Sequence, residues 1–179
     1  MKFTTEYADQ SAEIIALFAS TFIASEGAAE GQLIQKLATD MFATLDDRDM
    51  IVVCAQEGGA LTGSIIFTRM IYAEDGRTVF ILSPVAVATD HQRKGGGQSL
   101  LRHGLDVLRD AGVDVVLTYG DPIYYSKVGF AQITEEMAQA PFALSHPGGW
   151  LGQTLSGKPF EPLKGSSRCV AALSDPTYW

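Results

Sequence analysis

The segment Gln92-Arg93-Lys94-Gly95-Gly96-Gly97 is where residue types and spacing first point to chemistry, because it joins an apolar run ending at Val87 to a helical pattern. Glycines there let successive backbone N–H groups turn toward one point, and a helix N-terminus adds a positive end. Together they can cradle an anion such as a phosphate. Charge agrees: from His91 to Leu105 there is no acid, yet Arg93, Lys94 and Arg102 stand in a chain of net charge −8. On glycine content alone, a flexible turn carrying solvated basic side chains reads the segment equally well.

Two other phosphate-binding patterns fail on residue identity. A P-loop needs Lys and then Ser or Thr after its last glycine, whereas Gly97 is followed by Gln98 and Ser99. A dinucleotide G-x-G-x-x-G needs a glycine where Leu100 sits. The second candidate lies downstream, in Gly120-Asp121-Pro122-Ile123-Tyr124-Tyr125. Asp121 is a good N-cap with Pro122 at the first helical position, so a short helix carries the two tyrosines and stops before Gly129. A phenol there can donate a proton without itself being charged, although a lone tyrosine is more often an ordinary core residue.

The elements that must hold these residues follow from periodicity. Ile14, Ile15, Phe18 and Phe22 recur at helical spacing, and so do Leu33, Ile34, Leu37 and Met41 after interruptions at Gly27 and Gly31. Met50 to Ala55 and Leu61 to Tyr72 read as a hairpin around Glu57-Gly58-Gly59, and Thr78 to Val87 as a third strand. Pro84 lacks the N–H that a central ladder needs, so the sheet is expected to open there. A helix over Gly97 to Ala111, ended by Gly112, leads into a strand at Val113 to Thr118. Five of the seven prolines follow Ala131, where short strands around Phe142 and Val170 are expected between loops. The order gives an α/β fold, a mixed sheet with helices on both faces.

With 179 residues, 46% hydrophobic and 19% charged, one compact domain over 1–179 is expected, with a core over 1–131 and strands and loops over 132–179. The acidic balance disfavours nucleic acid and anionic membranes. Cys54 and Cys169 have no metal or redox spacing and read as reduced thiols, and no metal is expected. Glu6, Asp9 and Glu13 interrupt any export signal, so a cytoplasmic location is expected.

Gln92-x-x-Gly95-x-Gly97 resembles the pyrophosphate-binding motif of the GNAT N-acetyltransferases, and the Tyr125-x-x-x-Gly129-Phe130 register is similar to the segment that ends their coenzyme site. The Gly-Asp-Pro-x-Tyr-Tyr form resembles the YhbS-like branch. The resemblance is specific from about Thr78 to Phe130 and looser elsewhere. It implies the GNAT fold, with a mostly antiparallel sheet, one splayed pair of parallel strands, and pantetheine lying between that pair.

Carried over, the family pattern makes Val85, Ala86 and Val87 the strand that pairs with pantetheine. Gln92, Arg93, Lys94, Gly95, Gly96, Gly97, Gln98 and Ser99 then surround the pyrophosphate, and Tyr125 is both a coenzyme contact and the general acid. The implied partners are acetyl-CoA and an amine acceptor, and a homodimer is compatible with the family. Ile81, Leu82, Ser83 and Pro84 supply no carboxylate where some members keep a glutamate base, so the base is unassigned. His91 and His103 receive no role, and Phe142 and Trp150 are read as a hydrophobic cap ahead of acceptor contacts. Two other functions fit the same residues: a non-catalytic CoA or acyl-CoA sensor, and a nucleotide-binding regulator.

Overall fold

A computed structural model describes residues 1–179, which divide into two compact units. Met1–Phe67 with Pro84–Gly104 form the first, and Thr68–Ser83 with Leu105–Trp179 the second. Three elements contribute residues to both: strand β3 (Ala60–Tyr72), strand β4 (Val79–Val87) and helix α3 (Gly96–Asp110).

In the first unit, strand β1 (Lys2–Thr4) pairs antiparallel with β2 (Met50–Glu57), setting Phe3 opposite Ala55. Helices α1 (Ser11–Glu26) and α2 (Ala28–Thr44) lie between them in sequence. The helical stripes hold: Ile14, Leu17 and Phe18 are buried on α1, and Ile34, Leu37 and Met41 on α2. Gly27, at φ 98°, separates the helices as expected. Gly31 does not interrupt α2 but lies within it. A Cβ there would stand 2.2 Å from Cγ1 of Ile23, so this glycine is a close-packing residue that sequence alone misreads as a breaker. The hairpin joining β2 to β3 turns on Gly58 and Gly59, both at positive φ, as a two-residue turn of primed type requires.

In the second unit, strand β5 (Val115–Tyr119) runs parallel to β4 and antiparallel to β7 (Trp150–Thr154), and β7 also pairs with β6 (Ala131–Gln132). The strand expected around Phe142 is not there. That ring packs against Trp179, and the strand follows the Pro147–Gly149 turn instead. Gly152 masks the signal of β7: a Cβ there would meet Phe160 at 2.8 Å and Leu117 at 3.0 Å, so a strand position that must be bare looks like loop. The strand expected at Val170 lies slightly earlier as β8 (Ser167–Arg168), paired with Ile71 and Tyr72. Arg77 clasps this unit together, its Nη2 donating to Asp75 Oδ2 at 2.6 Å and to the Pro162 carbonyl at 2.7 Å. Its hydrogen bonds hold the Asp75 carboxyl well below the usual carboxylate range.

The strand order β1-β2-β3-β4-β5-β7-β6 makes a mixed sheet that is antiparallel except at β4 and β5. No helix is long and apolar enough to cross a membrane.

Candidate active site

The β4–β5 pairing is short. It covers Val79↔Val115 to Leu82↔Thr118 and stops, although β4 continues to Val87. Pro84, which has no N–H to give a ladder, lies two residues past the last pair. Beyond Leu82 the backbone of β4 has no partner in β5, and Val85 and Val87 are half-exposed while Pro84 and Ala86 are buried.

Past β4, in the first unit, the chain reaches the glycine turn. Arg93 has φ 60° and Gly95 φ 81°, so two left-handed residues flank Lys94, and α3 begins at Gly96. Alternation of this kind turns N–H groups inward as an anion-binding nest. The first amides of a helix lack intrahelical partners. Here the Ser99 amide donates to the Gly95 carbonyl at 3.1 Å, and the Ser99 hydroxyl donates to the same oxygen at 3.2 Å. The amides of Gly96, Gly97 and Gln98 precede it and remain the orphan donors. No acid stands in that first turn.

Gln92 has a definite task in the turn: its Nε2 donates to the Val87 carbonyl at 3.0 Å, tying the turn to the strand before it. That carbonyl is therefore already engaged. Gln98 accepts from Arg102 at 3.4 Å. His91 lies between Asp90, at 2.8 Å, and Glu57, at 3.5 Å, and His103 stacks on Phe3, so both histidines are accounted for by packing and pairing.

In the second unit Tyr125 closes helix α4 (Pro122–Tyr125). Asp121 caps it as expected, its Oδ1 accepting from the Ile123 amide at 2.8 Å. Gly129 adopts φ 97°, which turns the chain so that the Phe130 amide donates to the Tyr125 carbonyl at 3.3 Å and the two rings meet edge to face at 5.7 Å. This is the physical content of the tyrosine-to-Gly-Phe spacing: the left-handed glycine folds the phenylalanine back onto the tyrosine.

Tyr124 meets Tyr125 edge to face on another side, and Gly120 supports the ring, since a Cβ there would stand 2.8 Å from Cε2 of Tyr125. Burial pushes the Tyr125 phenol up to about 12, with Tyr124 and Asp121 adding to the rise; a hydrogen bond with Thr118 opposes it. The residue retains some exposure although its phenol is closely surrounded.

Sequence reading missed Thr118 and Gly120. A signal for the first existed, a lone hydroxyl ending the apolar run Val115-Val116-Leu117. The Tyr119 hydroxyl was also missed: it accepts from the His146 amide at 2.5 Å and lies 3.1 Å from Ser145 Oγ, anchoring the loop before β7. Trp150 is fully buried with Nε1 donating to the Ala138 carbonyl, which is the cap role.

A strand that runs past its parallel pairing into a glycine turn and a helix, and a tyrosine folded against Phe130 by a left-handed glycine, agree with what the chain matches. Residues 12–130 fit the model of the acetyltransferase (GNAT) family. The chain is a GNAT-family member. Among curated relatives of this GNAT protein, the N-acetyltransferase YjhQ of Escherichia coli K12, itself uncharacterized, is 31% identical over 146 residues, covering 79% of this chain and 78% of YjhQ. YhbS of the same strain is 33% identical over 106 residues, 59% of this chain and 60% of YhbS. The crystal structure of Escherichia coli YhbS in complex with CoA aligns at TM-score 0.81 and 20% identity, covering 97% of this chain and 92% of that one. A Brucella melitensis GNAT acetyltransferase in complex with acetyl-CoA aligns at 0.69 and 23% identity, covering 96% and 97%. These two likenesses establish the GNAT fold.

Proposed function

We propose that the chain, read as a single GNAT domain over 1–179, transfers an acetyl group from acetyl-CoA to a primary amine of a small molecule or peptide by direct attack. The reading rests on one observation above all. The parallel pair β4–β5 ends at Leu82↔Thr118 while β4 runs on, leaving strand backbone that an extended pantetheine arm can complete. In this reading Val85, Ala86 and Val87 meet pantetheine. The nest over Gln92 to Gly97 and the amides of Gly96 to Gln98 take the pyrophosphate, with Ser99 fixing the turn. Arg93 and Lys94 add charge-assisted contacts. The CoA complex of YhbS and the acetyl-CoA complex of the Brucella protein support this choice of cosubstrate.

In the reaction the amine nitrogen attacks the thioester carbonyl, the C–N bond forms, and the C–S bond breaks. The sulfur takes the proton of Tyr125, and the surplus proton on nitrogen returns to the phenol through solvent. A strand N–H near Val85 would face the carbonyl oxygen as it gains charge. Tyr125 stays protonated across the neutral range because burial holds it near 12. Full transfer to a thiolate of ordinary pKa about 8.5 is uphill. The phenol therefore works first as a hydrogen-bond donor to the departing sulfur. The base is solvent or a group outside the 81–84 segment, which carries no carboxylate.

Isothermal titration with acetyl-CoA, paired with thiol release over a panel of amines, tests the proposal. Binding with no turnover on any amine would favour the sensor reading, and tighter binding of ATP than of CoA would favour the regulator. Tyr125→Phe is expected to bind acetyl-CoA normally and to lose roughly 10² or more in kcat. Full turnover in that variant would remove Tyr125 from the mechanism.

A further inference from the structure

Resting on the reading of Gln92 to Gly97 as a diphosphate cradle, His91 gains a task. A cradle made of backbone amides binds well only if the turn keeps its shape, and Gln92 to Gly95 are exposed, so that shape depends on hydrogen bonds more than on packing. One brace is the Gln92 side chain on the Val87 carbonyl, within the same stretch of chain. Another crosses to a different strand. The His91 ring stands with Nδ1 2.8 Å from Asp90 Oδ1 and Nε2 3.5 Å from Oε2 of Glu57, the last residue of β2. The His91 amide donates to the Ala88 carbonyl at 2.8 Å, so the ring and the turn that starts beside it share one anchored backbone.

Both ring nitrogens thus face a carboxylate, and an ionised carboxylate only accepts. A neutral imidazole has one N–H and one bare lone pair. Whichever tautomer it takes, one of the two carboxylates then meets a lone pair and one tie is lost. The imidazolium has two N–H groups and satisfies both. Glu57 faces the ring from β2 and Asp90 from its own turn, while Lys94 acts on the Asp90 carboxylate from the nest. We infer that His91 is a positioning residue for the coenzyme, which fastens the diphosphate nest to the end of β2 when its ring is protonated and releases one fastening when that proton leaves. An imidazole exchanges this proton near pH ~6.5, so the change falls in the neutral range. Its sign follows: a nest already held in shape binds at less entropic cost, so affinity for acetyl-CoA is higher below that range and falls as pH rises through it. Both carboxylates are exposed, which screens the pairs and keeps the expected effect to a few-fold.

The test is acetyl-CoA binding by isothermal titration at about pH 6 and about pH 8, for the parent chain, His91→Gln and Glu57→Gln. The 3′-phosphate of the ligand titrates over the same range, so the readout is the ratio of variant to parent Kd at each pH, from which that titration cancels. His91→Gln is expected to bind about threefold more weakly than the parent at the lower pH and to match it closely at the higher one. Glu57→Gln should behave differently, because an amide can accept from the protonated ring or donate to the bare nitrogen of the neutral one. It is expected to match the parent at the lower pH and to bind about twofold more tightly at the higher one. A histidine with a purely structural task gives the same ratio at both pH values, and that result overturns the inference.

By linkage, saturating acetyl-CoA should raise the midpoint of the His91 ring in an NMR titration, and an unmoved midpoint counts equally against the role. Should His91→Gln fail to fold, Glu57→Gln and the ring titration of the parent chain decide alone. The two readings fail separately. Acetyl-CoA that binds the parent at neither pH sinks the cradle and the role of His91 with it, while acetyl-CoA that binds with equal ratios at both pH values sinks only the role of His91.

Discussion

Gly95 and Gly120 are both glycines beside candidate chemistry, and they are glycines for opposite reasons. At Gly95 an added Cβ would meet nothing within 4 Å, but the backbone sits at φ 81°, which a side chain resists. At Gly120 the backbone makes no such demand, but a Cβ would stand 2.8 Å from the Tyr125 ring. In the proposed function the first region works through peptide N–H groups, so conformation is what it must protect. The second would work through one phenol oxygen, so what it must protect is the position of a side chain.

That contrast can be attacked by substitution. The largest effect is expected from Gly120→Ala, where the methyl group must displace the Tyr125 ring by several tenths of an ångström. Misplacement of a reacting group is costly, so kcat should fall roughly tenfold to a hundredfold while acetyl-CoA affinity by calorimetry stays near the parent value. A variant with normal kcat would mean that the ring position is not critical. Gly95→Ala should do the reverse. A left-handed alanine costs about 1 kcal/mol, so the Kd for acetyl-CoA should weaken by roughly fivefold while kcat at saturation holds.

Arg93→Gly should have a smaller and mixed effect. Arg93 is the one non-glycine residue at positive φ, so relieving it is expected to raise Tm by roughly 2 °C while flattening the salt dependence of acetyl-CoA binding. A lowered Tm would show that the turn is not strained at rest. The smallest effect is one of pH. Tyr125 is raised to about 12, so it remains a donor to well above pH 10. An amine acceptor of ordinary pKa near ~10.4 loses its proton as pH rises, so kcat/KM should climb through pH 9 with no alkaline fall from the phenol. A descending limb below pH 10 would assign the acid role to another group.

Much of the architecture was legible in residue order. Helical periodicity predicted α1, α2 and α3, and β-rich runs predicted β2 to β5. Legibility failed where a glycine served packing. Gly31 within α2 and Gly152 within β7 look like breakers, yet each is bare because another side chain fills its place. Those neighbours are Ile23 in the first case and Phe160 with Leu117 in the second, and both sets come from other elements. Local pattern carries no trace of them.

Residue order by itself determined the glycine turn into a helix, the Asp121 cap and the tyrosine spaced four residues before Gly129, because each depends on dihedral preference and short-range hydrogen bonds within a few residues. Only the tertiary structure decided that Gln92 reaches back to Val87, that Tyr125 rests on Gly120, and that Thr118 donates to the Leu82 carbonyl. The last of these links residues 36 positions apart, through a register of two parallel strands. Such a register is fixed by the packing of whole faces, and no short stretch of sequence can state it.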